Sequence, residues 1–73
     1  MQYYERLKAA RQDKDIKQET AANVLKTTKQ QISKYENGQQ QMTVEKLKQL
    51  CLLYHVSADY ILGLPPGLDW PRR

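Results

Sequence analysis

The hydrophobic positions along the chain recur every three or four residues, which is the spacing of amphipathic helices. Near the start, Tyr3, Leu7 and Ala10 repeat in this way with charged residues between them. Over the whole chain the pattern predicts helices at residues 2–13, 18–25, 28–37 and 44–54, and a short fifth between Ser57 and Gly63. The predicted fold class is therefore all-α, a compact bundle of about five helices.

Local signals predict where these helices begin and end. Thr28 followed three residues later by Gln31 forms a capping box, which favours a helix start. Gly38 is the expected left-handed residue at the end of the third helix. Asp15 and His55 belong to residue types that tolerate a positive φ, and they follow the first and fourth predicted helices.

The length of 73 residues allows one domain. We assign residues 1–63 to this domain and residues 64–73, which contain three prolines, to a C-terminal tail. A domain of this size buries only about 60% of the surface that its unfolded chain exposes, so self-association would add to a small core.

Charge and composition restrict the classes of function. The net charge of +4 favours a polyanionic partner such as nucleic acid. The single cysteine, Cys51, excludes an intramolecular disulfide and is predicted as a core residue, and one Cys with one His cannot form a structural zinc site. No catalytic acid–base pair or nucleophile can be assembled, so we predict no enzyme, no cofactor and no small-molecule ligand.

The N-terminal segment is charged throughout and does not match a signal peptide. No apolar stretch is long enough to cross a membrane. We therefore expect a cytoplasmic protein.

Three stretches of the sequence together carry a resemblance to a known family. They are IKQETAA at residues 16–22, TKQQISKYENG at residues 28–38 and VSADYILG at residues 56–63. On these residues the chain resembles the phage repressor and Cro type of helix-turn-helix, the xenobiotic-response-element family of transcriptional regulators. The resemblance implies a lambda-repressor-like DNA-binding domain whose third helix lies in the major groove of double-stranded DNA.

The resemblance also implies which residues contact DNA, namely Gln18, Thr28, Lys29, Gln30, Ser33, Lys34, Asn37 and Gly38. Within this set, Lys29, Gln30 and Lys34 fall where the family reads bases. The backbone amides of Asn37 and Gly38 fall where the family contacts the phosphate chain. Gln18 opens the second helix, where the family uses a glutamine against a phosphate and against the start of the third helix.

The chemistry of the base-reading positions agrees with these roles. A glutamine can pair with N6 and N7 of adenine, and a lysine can donate to O6 and N7 of guanine. Gln30 and Lys34 are four residues apart and share one face of a helix. The alternative is that Lys29, Gln30 and Lys34 form a solvated helix face with no partner.

Three positions depart from the family pattern. Lys26 stands in the turn where the family often has glycine, at a cost of about 1 kcal/mol if it is left-handed. Lys17 is a poor cap for the second helix, where the family has Ser or Thr. The loop at residues 39–42 lacks the proline and the basic residues of the family, which leaves open whether it contacts phosphate.

Arg11 and Glu36 match positions at which the family forms an ion pair between the first helix and the end of the third. The alternative for these two residues is separate surface charges. His55, with no catalytic or metal-binding partner in a recognisable arrangement, is predicted to end a helix rather than to act as a ligand or catalyst.

The predicted function is a sequence-specific DNA-binding transcriptional regulator, a repressor acting as a homodimer on a palindromic operator. The predicted dimer interface consists of Leu52, Ile61, Leu64 and Trp70. The alternative is an antitoxin or accessory module that binds a partner protein through its C-terminal part.

Overall fold

The structure, a computed structural model, describes residues 2–65. Five α-helices follow one another in this part of the chain: α1 Tyr3–Asp13, α2 Gln18–Leu25, α3 Lys29–Glu36, α4 Val44–Tyr54 and α5 Ala58–Leu62. The all-α prediction is confirmed. The predicted bounds of the second and fourth helices are correct, and those of the first and third helices extend one residue too far at one or both ends.

Hydroxyl side chains begin three of the helices. The Oγ1 atoms of Thr28 and Thr43 accept hydrogen bonds from backbone amides in the first turns of α3 and α4, and Ser57 does the same for α5. The second half of the predicted capping box does not form. The Gln31 side chain instead donates to Oε1 of Gln40 at 2.7 Å, across to the following loop.

Three non-glycine residues adopt the left-handed conformation predicted or anticipated for them. Asp15 has a φ of 55°, and Lys26 and His55, which end α2 and α4, each have a φ of 56°. Each such residue costs about 1 kcal/mol relative to ordinary helical backbone. The left-handed residues Lys26 and His55 lie where α2 and α4 end and the chain changes direction.

The core lies where the apolar faces of all five helices meet. Its buried hydrophobic residues are Leu7, Ala10, Ala21, Ala22, Leu25, Ile32, Tyr35, Leu47, Leu50, Cys51, Tyr54 and Ile61. Ala21 and Ala22 lack bulky side chains, so α3 and α4 can pack closely against α2. This packing sets the position of α3 relative to the rest of the domain.

Ile61 is wrongly placed by the sequence-based prediction of a dimer interface. Its side chain is 0% exposed, because α5 packs its inner face against α1 and α4. Leu52 and Leu64, by contrast, are 68% and 44% exposed. Trp70 lies outside the described residues.

Candidate nucleic-acid interface

The helix-turn-helix unit is formed by α2 and α3, which three residues connect. Ile32, Tyr35 and Glu36 turn inward from α3 and are buried. The opposite face of α3 is polar, with exposed Lys29, Gln30, Lys34 and Asn37 and partly buried Ser33. Because the inner face anchors the helix in the core, the outer face is held as a fixed polar surface.

Gln30 and Lys34 lie one turn apart on this outer face. Neither Lys29 nor Lys34 forms an ion pair within residues 2–65. Thr28 Oγ1 accepts the capping bond from the amide of Gln31, which leaves its O–H able to donate. Lys29, Gln30 and Lys34 therefore offer two cations and one carboxamide together.

A buried ion pair fixes the end of α3 to α1. Nε and Nη2 of Arg11 donate to the two carboxylate oxygens of Glu36, at 2.7 Å and 3.1 Å. Nη1 of the same arginine donates to the carbonyl oxygen of Ile16 at 2.8 Å, which also holds the loop before α2. The two residues implied by the resemblance are therefore in direct contact.

Gln18 extends this cluster to the start of α2. Its Nε2 donates to Oε1 of Glu36 at 3.0 Å, so the hydrogen bond reaches the last residue of α3. The resemblance had implied a contact with the start of α3. Lys29, the first residue of α3, does line the same surface recess as Gln18, but its side chain is not the hydrogen-bond partner.

The recess at the start of α2 has a volume of about 270 Å³ and is lined by Arg11, Lys17, Gln18, Glu19 and Lys29. Three of these five residues are cationic. Lys17 supplies no side-chain cap to α2. A helix start without a side-chain cap presents backbone N–H groups and positive dipole potential to the solvent, which is a favourable site for an anion.

The backbone amides at the end of α3 form hydrogen bonds within the protein. The N–H of Asn37 donates to the Ser33 carbonyl at 3.0 Å, and the N–H of Gly38 donates to the Tyr35 carbonyl at 3.2 Å. Both groups donate inside the helix end, and the contact with the phosphate chain that the resemblance implies stays a prediction. The Asn37 side chain stays exposed, with only a 3.4 Å contact to Ser33 Oγ.

Polar contacts connect α3 to the segment after it. Lys46 Nζ donates to the hydroxyl of Tyr35 at 3.0 Å, and this partly buried hydrogen bond lowers the pKa of Tyr35. Gln40 Oε1 accepts a hydrogen bond from the Gln31 side chain, which connects the loop at residues 39–42 to α3. Sequence periodicity gave no signal for Gln40 or Lys46, because their partners lie in a different element.

An apolar groove of about 340 Å³ lies on the side of the domain formed by α1, α4 and α5. Its lining residues are Tyr3, Gln41, Met42, Thr43, Val44, Leu47, Lys48, Ala58 and Leu62, none of which belongs to α2 or α3. Val44 is 83% exposed and Leu62 is 47% exposed at its edge. The sequence-based interpretation missed this groove, because its lining residues come from three separate helices and from the segment before α4.

Within residues 2–65, no group of three His, Cys, Asp or Glu residues is placed to hold a metal ion. No helix in that part of the chain is both long enough and apolar enough to cross a membrane.

The fold and the polar outer face of α3 define a helix-turn-helix DNA-binding domain. A family model described as helix-turn-helix matches residues 7–61, well over half of the chain. The protein belongs to this family, in its Cro and repressor type, and is a DNA-binding transcriptional regulator. Searches of curated proteins and of solved structures found no match.

Proposed function

We propose that the protein is a sequence-specific repressor that binds a palindromic operator as a homodimer, with α3 in the major groove. One observation carries the proposal: Lys29, Gln30 and Lys34 are exposed side by side while the opposite face of α3 is locked in the core. A protruding helix of this kind fits the major groove, where base edges differ.

Sequence is read by the side chains on the outer face of α3. Gln30 pairs with adenine through its carboxamide, and Lys34 and Lys29 donate to guanine or to the flanking phosphates. Gln31 does not take part in base reading, because its side chain is engaged with Gln40. An operator half-site that contains both adenine and guanine is expected.

The recess at the start of α2 binds the phosphate chain. Lys17 and Lys29 supply positive charge there, and α2 begins beside the recess without a side-chain cap. Gln18 Nε2 carries two hydrogens, of which Glu36 takes one, so the other can donate to a phosphate oxygen. These contacts fix the register of α3 without reading sequence.

A second copy of the chain is the proposed occupant of the apolar groove. One recognition helix reads only a few base pairs, whereas a two-fold dimer reads two half-sites with centres about 34–36 Å apart. Val44, Lys48 and Leu52 follow one another at intervals of four residues and therefore lie along one face of α4. Pairing along this face and the exposed Leu62 and Leu64 leaves α2 and α3 free for DNA.

The repressor role rests on the resemblance to phage repressors, and a DNA operator places the protein in the cytoplasm. The groove also favours a second candidate function, an antitoxin or accessory module that binds a partner protein there. The oligomeric state separates the two, because a homodimer fills the groove and a monomer leaves it free.

Selection from a random duplex library tests the DNA-binding proposal. The wild-type protein should enrich an inverted repeat with half-sites about one helical turn apart. On that repeat, Gln30→Ala or Lys34→Ala should lose about 1–3 kcal/mol of binding free energy and much less on random DNA. An unchanged ratio of specific to random affinity would show that α3 does not read the sequence.

Sedimentation tests the dimer. The wild-type protein should be dimeric at tens of micromolar, and a Val44→Glu, Leu62→Glu variant should be monomeric. Val24→Glu is the matched control, because Val24 is an exposed apolar residue of α2 outside the groove. A wild type that stays monomeric with and without operator DNA would exclude the homodimer and favour the partner-protein function.

A further inference from the structure

The Glu36 carboxylate has two partners, Arg11, with which it forms an ion pair, and Gln18. Oε2 accepts from Arg11 Nε at 2.7 Å, while Oε1 accepts both from Arg11 Nη2 at 3.1 Å and from Gln18 Nε2 at 3.0 Å. Glu36 is buried, at 5% exposure, whereas Gln18 is only partly buried. A fixed, buried acceptor therefore holds one end of a side chain that reaches the surface.

This arrangement determines which way the Gln18 carboxamide faces. An ionised carboxylate only accepts hydrogen bonds, so Gln18 must turn its NH₂ group, and not its oxygen, toward Glu36. A free glutamine can rotate its carboxamide by half a turn and expose an acceptor oxygen instead. An acceptor oxygen would repel a phosphate, whereas the second Nε2 hydrogen attracts one.

The charge around this carboxylate also suits an anion. Glu36 would repel a nearby phosphate, but Arg11 neutralises it through two hydrogen bonds. The recess beside Gln18 is lined by two further cations, Lys17 and Lys29, and by one carboxylate, Glu19. The local balance is therefore positive, and the carboxylate can act on Gln18 without excluding DNA.

We propose that Glu36 is a positioning residue for DNA binding, which orients the Gln18 carboxamide in the free protein so that its amide hydrogen is already directed at a phosphate. The inference rests on the proposed function, because it requires a DNA duplex as the ligand. Glu36 itself does not touch DNA. Because Glu36 already fixes the Gln18 side chain in the free protein, Gln18 loses less conformational entropy when DNA binds.

A double-mutant cycle on DNA affinity tests the proposal. The probe is a labelled random-sequence duplex of about 20 base pairs at low salt, which reports phosphate contacts. Gln18→Ala should weaken binding by about fivefold in the wild-type background, the value of one hydrogen bond near 1 kcal/mol. In the Glu36→Gln background, Gln18→Ala should have almost no further effect, because a neutral amide no longer dictates the orientation.

Arg11→Lys provides the matched control. It weakens the ion pair by removing the two-point geometry of the guanidinium, but it keeps both the positive charge and the Glu36 carboxylate. Gln18→Ala should therefore still weaken binding by about fivefold in this background. A purely structural role for Glu36 predicts instead that the effect of Gln18→Ala is the same in all three backgrounds, and that result would overturn the proposal.

A second measurement does not require Glu36→Gln to fold. In the wild-type protein without DNA, the Gln18 side-chain NH₂ should show a rigid carboxamide by ¹⁵N relaxation, with the signal assigned through its loss in Gln18→Ala. A flexible Gln18 carboxamide would contradict the proposal. If Gln18→Ala leaves duplex affinity unchanged while Lys34→Ala weakens it, the positioning role fails and DNA binding stands. If the wild type binds no duplex, the proposed function itself fails.

Discussion

Arg11 and Glu36, which are 25 residues apart in the sequence, form a buried two-point ion pair that joins α1 to the last residue of α3. Their side chains are only 11% and 3% exposed. The pair also forms hydrogen bonds with the carbonyl of Ile16 and with Gln18, at the start of α2. The position of α3 and the stability of the domain therefore depend on the same two residues.

Breaking this ion pair should destabilise the fold strongly. Arg11→Ala leaves a buried carboxylate with Gln18 as its remaining partner, and we expect a loss of about 3–5 kcal/mol in the free energy of unfolding. Denaturant titration of Arg11→Ala, Glu36→Ala and the double variant measures the coupling. The double variant should lose clearly less than the sum of the single losses, and an additive result would contradict the coupling.

A side chain at Gly38 should disturb the end of α3. Gly38 has a φ of 73°, and an added Cβ would lie 2.5 Å from the Tyr4 ring. Gly38→Ala should therefore cost more than the roughly 1 kcal/mol of the left-handed conformation alone.

Gly63→Ala is the control for this substitution, because Gly63 has a similar φ of 72° but its added Cβ would meet only the flexible end of Arg6, at 3.2 Å. Thermal melts should show the larger loss for Gly38→Ala. Adding Tyr4→Ala should remove most of the difference between the two glycine variants. Equal losses for the two single variants would show that the Tyr4 contact does not matter.

Replacing the poor cap of α2 should separate stability from DNA binding. Lys17→Ser supplies a capping hydroxyl and should raise the free energy of unfolding by about 1 kcal/mol. It also removes one cation from the recess, so DNA binding should weaken and its logarithmic salt slope should fall by about 0.9 for one lost phosphate contact.

The matched control is Lys14→Ser, which makes the same change of charge at an exposed residue outside the recess. Its salt slope should stay close to that of the wild type. The phosphate role of Lys17 is wrong if the two variants have the same slope.

Tyr54 should make the fold sensitive to alkaline pH. Its hydroxyl is fully buried without a hydrogen-bond partner among the described residues, and burial raises its pKa above the ordinary 10.0. Only the unfolded chain then ionises this group near pH 10, so the contribution of Tyr54 to stability is full below that pH and falls above it. The slope for one proton is about 1.4 kcal/mol per pH unit.

Tyr54→Phe should remove the part of the alkaline loss due to Tyr54 and leave the part due to Cys51, whose pKa burial also raises. It should also raise stability at neutral pH by about 1 kcal/mol, because no unpaired hydroxyl stays buried. Tyr35→Phe is the comparison. Lys46 lowers the pKa of Tyr35, so this substitution should not remove the alkaline loss. Denaturant titrations at pH 7 and above pH 10 measure both variants, and an unchanged alkaline slope for Tyr54→Phe would be the contrary result.

The helices and their ends could be predicted because they depend on neighbours in the sequence. Apolar spacing gave the bounds of α2 and α4, and the residue types at Asp15 and His55 matched their left-handed backbone. Thr28 caps α3 through an amide three residues away. Each of these features is decided within about one helical turn, where the order of residues fixes the distances.

Contacts between distant segments were decided only by the tertiary structure. The packing of α5 buried Ile61, and the fold placed Tyr4 over Gly38 and brought Gln18 to Glu36 rather than to the start of α3. The resemblance supplied the Arg11–Glu36 pair, which spacing alone leaves open. The sequence thus determined the helices and the polar outer face of α3. The packing of the helices determined which residues contact Gln18, Glu36 and Gly38. Such contacts depend on the distances and angles between helices.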